Sequence, residues 1–470
     1  MVEEPDPQDL LIVNGVRPDG HYLVQSVSAE AFARGMADLP PDPAREEAER
    51  SRYLALEDGV MKVIAGVDDT KLPEAGWGVV FSGREEHQAE VATIRERLQP
   101  LLDLRKAQAG DLYAEYTGRD GYRDESGVTW LSRHGVGSGS ADPEQMPFYL
   151  LLVGGPEHIP FEFGHRIDLQ RAVGLLAFDD VADYRRYADA VVAAETGGAA
   201  ATKRLELFGP RNRGDRATSL SSSRLIAPLA DKLSRAIGWT VGLTADGEAT
   251  KSRLGQLVND DTPALLMTAS HGLGLDAGDS QQRARQGALI CADWPGVGEA
   301  VAGGHAFAAT DVSAGAALAG RMAVLFACYG GGTPALDDFA HRVDPAAPER
   351  IADRPFVAAL AQRLLAGGML AVIAHVDRAW SYSFNWPRAG SQTQVFQSML
   401  RQLMNGAPVG VAFDDFNVRT GELAVDHADL LARVVSGQID SYAPYAGAWT
   451  AATDARNYVV LGDPAARLNV

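Results

Sequence analysis

Only two cysteines, Cys291 and Cys328, occur among 470 residues, too few for a disulfide framework in a chain of this size. So thiol-poor a chain is expected in a reducing, cytoplasmic setting. No run of about 18 apolar residues occurs, so no membrane span is expected. The opening Met1-Val2-Glu3-Glu4-Pro5-Asp6-Pro7 lacks the basic start and apolar stretch of a secretory signal. Positive charge is scarce as well. Lys+Arg total 43 against 62 Asp+Glu, a formal charge of −19, which argues against a general binder of nucleic acid or anionic membrane. The 49 glycines follow no Gly-X-Y period, which excludes collagen, and a 46% hydrophobic content excludes a mainly disordered chain.

What is present is the pattern of an α/β protein. Short, nearly continuous apolar runs alternate with helical stretches, the signature of parallel strands buried on both faces. Such runs lie at 77–81, 148–153, 205–208, 239–243, 264–268, 322–326 and 369–373. Helices are predicted over 85–104, 181–195, 220–237, 250–258 and 356–365. The order predicts two αβα sandwich subdomains: an accessory one at 71–203, and a second, mostly parallel one at 204–470. Residues 1–70 are weakly patterned, with a short strand at 10–16, a short helix at 29–37 and a break at Pro40-Pro41-Asp42-Pro43. They either pack on the main body or form an adaptor arm.

In open α/β sheets ligands bind beyond the carboxyl ends of the strands. After the run at 264–268 comes Ala269-Ser270-His271-Gly272, and after that at 322–326 comes Ala327-Cys328-Tyr329-Gly330-Gly331-Gly332. If the two strands are neighbours, an imidazole and a thiol face one crevice. An imidazole is the usual base or ion-pair partner of a nucleophilic thiol. Glycine at 272 lets its N–H approach a reacting carbonyl, and with the N–H of Cys328 it makes an oxyanion hole. The plain alternative is that Cys328 is a small buried hydrophobe and His271 a satisfied strand-end histidine. The other His-Gly pair, His134-Gly135, has no strand before it and reads as loop. Cys291 reads as structural.

At these residues the chain resembles a caspase-like cysteine peptidase of the gingipain and CHAT kind. The dyad of those families is a His-Gly and an Ala-Cys at successive strand ends, matched here by His271-Gly272 and Ala327-Cys328. Leu150-Leu151-Leu152-Val153-Gly154-Gly155-Pro156, with Ile159-Pro160, is similar to the glycine-bearing strand end ahead of their catalytic subdomain. Ala172-Val173-Gly174-Leu175-Leu176 resembles their Val-Gly-Arg-Leu segment, but Leu175 stands where arginine is usual, so no role carries over to it. Leu461-Gly462-Asp463-Pro464 resembles their closing element. The likeness covers residues 77–470. It implies a caspase-like catalytic subdomain and amide hydrolysis through a thioester, with Cys328 as nucleophile and His271 protonating the leaving amine. The Gly272 and Cys328 amides would hold the oxyanion, with no metal or organic cofactor.

For specificity, the resemblance points to the strand end after the cysteine strand, Ala374-His375-Val376-Asp377-Arg378-Ala379-Trp380. Asp377 would select a basic side chain and Arg378 an acidic one, and strand alternation would put them on opposite faces. Asp168 is a second acidic candidate, and Trp380 is either pocket wall or core aromatic. Two acids and a negative overall field favour a basic substrate residue. The polar stretch at 274–286 is either an activation loop or an ordinary exposed loop. Asp337-Asp338 and His341 read as a solvated helix start. The expected function is a regulated cysteine endopeptidase with a protein or peptide substrate, acting in a bacterial stress or antiphage pathway, possible partners being an activator and a gasdermin-like protein. The alternatives are a catalytically idle caspase-like scaffold and a thiol acyltransferase or amidase.

Overall fold

The structure, a computed structural model, describes residues 11–24, 63–137, 139–198, 200–337, 339, 350–386, 390–436, 438 and 443–470. The predicted helix at 29–37, the break at 40–43, Asp338 and His341 lie outside them.

The apolar runs form the strands their composition predicts. After a short first strand, β1 (Gly15–Val16), come β2 (Trp77–Val80), β3 (Tyr113–Tyr116), β4 (Tyr149–Val153) and β5 (Ala172–Leu176). They are followed by β6 (Arg204–Pro210), β7 (Thr240–Asp246) and β8 (Leu265–Ala269). Three two-residue strands succeed them: β9 (Gly272–Leu273), β10 (Leu289–Ile290) and β11 (Ala306–Phe307). The remainder are β12 (Met322–Phe326), β13 (Gly332–Thr333), β14 (Phe356–Val357), β15 (Ala371–His375), β16 (Asn385–Trp386), β17 (Gly390–Ser391) and β18 (Tyr458–Gly462).

Ten of these build one sheet, in the order β3-β2-β4-β5-β18-β15-β12-β8-β6-β7. The two parallel halves expected from the sequence are thus joined edge to edge. The last strand, β18, runs parallel to β5 and antiparallel to β15, and it closes the gap between them. Gly174 explains how close that join is: a Cβ there would lie 2.1 Å from the carbonyl oxygen of Gly462. Beyond the join, the Asp463 carboxylate accepts from Trp77 Nε1 at 3.0 Å and from Arg105 Nε at 2.7 Å, so the closing element is tied to both the first half's sheet and its helix.

Helices cover the faces. Gln88–Ala109 packs on Val181–Glu195, whose first turn is capped by the Asp180 side chain accepting from the Ala182 N–H. Arg216–Ser221, a π-turn at Ser222–Ile226 and Ala227–Leu233 stand where one helix over 220–237 is predicted. Three further helices, Gln394–Met404, Val409–Val435 and Ala443–Arg456, fill the stretch before β18. No helix among the described residues is long and apolar enough to cross a membrane.

Two consequences bear on function. First, β8 and β12 are adjacent and parallel, with Ala269 opposite Phe326, so their carboxyl ends open on one edge. Second, a small sheet of order β1-β9-β10-β11 lies at that edge, and its outer strand comes from the chain's first residues. Residues 11–24 pack on the main body, the first of the two readings left open for the N-terminal segment.

Candidate active site

Parallel pairing of β8 with β12 carries His271 and Cys328 out of neighbouring strands at equal distance from the paired ends. Both residues are fully buried. His271 Nε2 lies 2.8 Å from Oδ2 of Asp215, and its Nδ1 has no hydrogen-bond partner among the described residues. Burial would raise the Asp215 carboxyl, but His271 and the hydroxyls of Thr218 and Tyr22 outweigh it and hold the group down at about 2. An ionised Asp215 accepts only, so Nε2 donates to it, which leaves Nδ1 as the nitrogen that can exchange a proton. The ring is boxed by Tyr22 and Trp294, with centroids at 5.7 and 5.9 Å.

Asp215 was absent from the residues singled out in the sequence. It caps the helix Arg216–Ser221, accepting from the Ala217 N–H, and follows β6 at the same sheet edge as His271 and Cys328. Arg211-Asn212-Arg213-Gly214 part it from the end of β6, so the strand-end rule that found the other two does not reach it.

The Cys328 thiol accepts from the Ala379 N–H at 3.2 Å, and burial pushes its pKa up. Tyr329 follows it with φ of 59°, in the left-handed region that non-glycine residues seldom adopt. That turn is held by the Tyr329 N–H donating to the carbonyl of Asp377 at 2.7 Å. Such conformations cluster at functional sites.

The two backbone donors expected to hold an oxyanion lie close together. The N–H groups of Gly272 and Cys328 converge on a single carbonyl oxygen, that of Asn14, at 3.0 and 3.1 Å. Glycine at 272 is required by close approach, since a Cβ there would lie 1.8 Å from the carbonyl oxygen of Cys328. Neither Asn14 nor Tyr22 was foreseen.

The residues proposed for specificity are placed differently from one another. The strand β15 ends at His375, and Asp377 has φ of 69°, so strand alternation does not extend to Asp377 and Arg378. Instead the two charges meet: Arg378 Nη1 lies 3.3 Å from Asp377 Oδ1, and Arg378 Nη2 lies 2.6 Å from Asp337 Oδ2. Asp337 is therefore part of a buried ion cluster, where a solvated helix start was expected. Trp380 is buried, its ring tilted by 47° against Phe339 at 4.4 Å, and it pairs through its backbone with Val13, the surroundings of a core aromatic. Asp168 lies beside β5, accepting from the Val173 N–H at 3.0 Å, and has no recorded contact with His271 or Cys328. Burial pushes its carboxyl up to about 8. Cys291 is buried with its thiol directed to the Leu289 carbonyl, in keeping with a structural role. Residues 276–281 form an exposed turn.

No family model matches the chain, and no curated protein matches it. Among solved structures it is similar to the complex of Porphyromonas gingivalis RgpB pro- and mature domains, at 12% identity over 84% of this chain and 80% of that one, with a TM-score of 0.45. It is similar to the Arg-specific cysteine proteinase gingipain R at 12% identity over 84% and 78%, with a TM-score of 0.41. A third likeness, to separase in the Saccharomyces cerevisiae separase–securin complex, has 10% identity and a TM-score of 0.31 over 68% of this chain and 16% of that one.

Proposed function

We propose that the chain is a cysteine endopeptidase. Cys328 Sγ attacks the carbonyl carbon of a bound peptide, and the developing oxyanion is held by the N–H groups of Gly272 and Cys328. Because burial disfavours a standing thiolate, the thiol proton passes to Nδ1 of His271 as attack occurs, and Asp215 stabilises the resulting imidazolium. His271 then protonates the leaving amine, and water hydrolyses the thioester. The observation that carries the reading is the convergence of those two N–H groups on one peptide oxygen beside the thiol.

The resemblance adds a protein substrate in a stress or antiphage response, such as a gasdermin-like partner. A basic residue before the scissile bond is the sequence expectation; of its two acidic candidates, Asp377 is paired with Arg378 and Asp168 accepts from the Val173 N–H.

The test is mass-spectrometric mapping of cleavage sites in a proteome-derived peptide mixture, comparing the full chain with Cys328→Ala. Peptides cut by the first and untouched by the second support the proposal. Absence of turnover favours an idle scaffold, and turnover confined to small amides or acyl acceptors favours an amidase or acyltransferase.

A further inference from the structure

The carbonyl held by the two N–H groups belongs to the chain itself, and the residues around it are seated as a substrate would be. On the N-terminal side of Asn14, the backbone runs antiparallel to the segment after β15. The Asn14 N–H donates to the Ala379 carbonyl at 2.8 Å, the Ser381 N–H donates to the Ile12 carbonyl at 3.0 Å, and Val13 bridges Trp380. On the C-terminal side, β1 pairs in parallel with β9, Gly15 opposite Gly272 and Val16 opposite Leu273. The junction between these two pairings is the Asn14–Gly15 peptide bond. It lies against the thiol, because a Cβ on Gly15 would be 2.8 Å from both Cβ and Sγ of Cys328. Only glycine fits there.

We infer that the Asn14–Gly15 bond is the enzyme's own substrate and that the chain cuts itself there. This rests on the peptidase reading above. Cys328 Sγ bonds to the Asn14 carbonyl carbon, the bond from that carbon to Gly15 N breaks, and Gly15 N leaves as an amine carrying the proton that His271 took from the thiol. Water then attacks the thioester, giving the Asn14 carboxylate and restoring the thiol. One water is consumed and no oxidant, metal or cofactor is needed.

The two sides of the bond are held differently. Residues 15–24 stay as part of the cleft: the Arg17 N–H donates to the His21 carbonyl, the Leu23 N–H to the Gly15 carbonyl, and the Tyr22 hydroxyl donates to Asp215 Oδ1 at 2.7 Å. Outside the segment, the Val301 N–H donates to the Pro18 carbonyl. The Asn14 side chain, by contrast, is fully buried with neither its oxygen nor its nitrogen hydrogen-bonded. An unsatisfied buried amide is a cost that persists only while Asn14 stays seated. Cleavage breaks the covalent tie between Asn14 and Gly15, and departure of the segment before Gly15 opens the cleft to other chains. The seated bond also identifies the class of peptide the cleft takes, one with a glycine after the scissile bond, since a Cβ there would meet Cys328.

The full chain is purified, incubated, and followed by intact mass and N-terminal sequencing. Expected is a species beginning at Gly15, formed with a half-time unchanged on tenfold dilution because the bond is already in place. Cys328→Ala should stay whole, at least 100-fold slower, with an unchanged circular dichroism spectrum. Gly15→Val should slow the cut at least tenfold, because its Cβ would meet Cys328. A wild-type chain that stays whole while it cuts peptides in the mixture overturns this inference and leaves the peptidase reading standing. A chain that cuts neither overturns both. Cutting at another bond, or equal scission in Cys328→Ala as spontaneous Asn-Gly chemistry would give, also overturns it.

Discussion

Asp215 and His271 form a fully buried carboxylate–imidazole pair, Oδ2 to Nε2 at 2.8 Å. Their positions are set by different elements, a helix cap after β6 and the end of β8, so the fold and not local sequence brings them together. The pair fixes Nε2 as the donor to Asp215, and the proposed mechanism uses the other nitrogen, Nδ1, to take the thiol's proton.

Asp215→Asn keeps the shape and removes the charge. The amide can present an N–H to Nε2 and so favours the wrong tautomer. Turnover should fall by about 10²–10⁴-fold with the fold intact. Steady-state rates with a cleavable peptide, alongside a thermal melt, check this; a variant with near wild-type kcat would remove Asp215 from the mechanism.

Tyr22→Phe is a finer probe of the same carboxylate. The phenol donates to Asp215 Oδ1 and accepts from the Arg216 N–H at 3.2 Å. A hydrogen bond to a charged group contributes about 1.5–3 kcal/mol. The expected result is a roughly tenfold or greater loss in kcat/KM. Equal rates for the two proteins would mean that the Tyr22 contact with the site has no catalytic consequence.

Gly272→Ala addresses the oxyanion donors. The added Cβ would meet the Cys328 carbonyl oxygen at 1.8 Å, so backbone must move and the two N–H groups no longer converge. Loss of one such donor costs about 10²–10³ in kcat elsewhere. A fall of at least that size is expected, with a lowered melting temperature. Wild-type activity in this variant would refute the convergence on which the proposed function depends.

The parts of this site that were legible in sequence share a cause. His271, Gly272 and Cys328 each follow a fully buried apolar strand, and such runs announce both the strand and its end. Asp215 follows β6, but polar residues Arg211-Asn212-Arg213-Gly214 separate it from that strand, so nothing local marks it. Asn14 and Tyr22 act through contacts with residues far along the chain, which no periodicity encodes. The same holds for Asp377 and Arg378: adjacency suggested opposite faces of a strand, whereas the left-handed conformation at Asp377 turns them toward one another. The helices at 394–456 went unassigned although they cover the sheet beside β18.

Arg378→Met tests that ion cluster. Arg378 is buried between Asp337 and Asp377, and its removal leaves carboxylates with less compensation in a dry site. Breaking a buried pair in this way costs about 3–5 kcal/mol. Denaturant unfolding should register a loss of that order, whereas an unchanged midpoint would mean that solvent already screens the cluster.

Asp168 makes the last prediction, and its sign follows from linkage. Burial raises its carboxyl from 3.8 to about 8, the Val173 N–H and Asn417 offsetting part of the effect and Asp414 adding to it. Between those two values the folded chain holds a proton that the unfolded chain has lost. Stability must therefore fall as pH rises from about 4 to about 8, by at most about 1.4 kcal/mol per pH unit. Asp168→Asn keeps an oxygen for the Val173 N–H and cannot ionise. It should flatten that decline and melt higher than wild type at pH 9. Parallel stability curves for the two proteins from pH 5 to 9 would show that Asp168 is ionised in the folded chain.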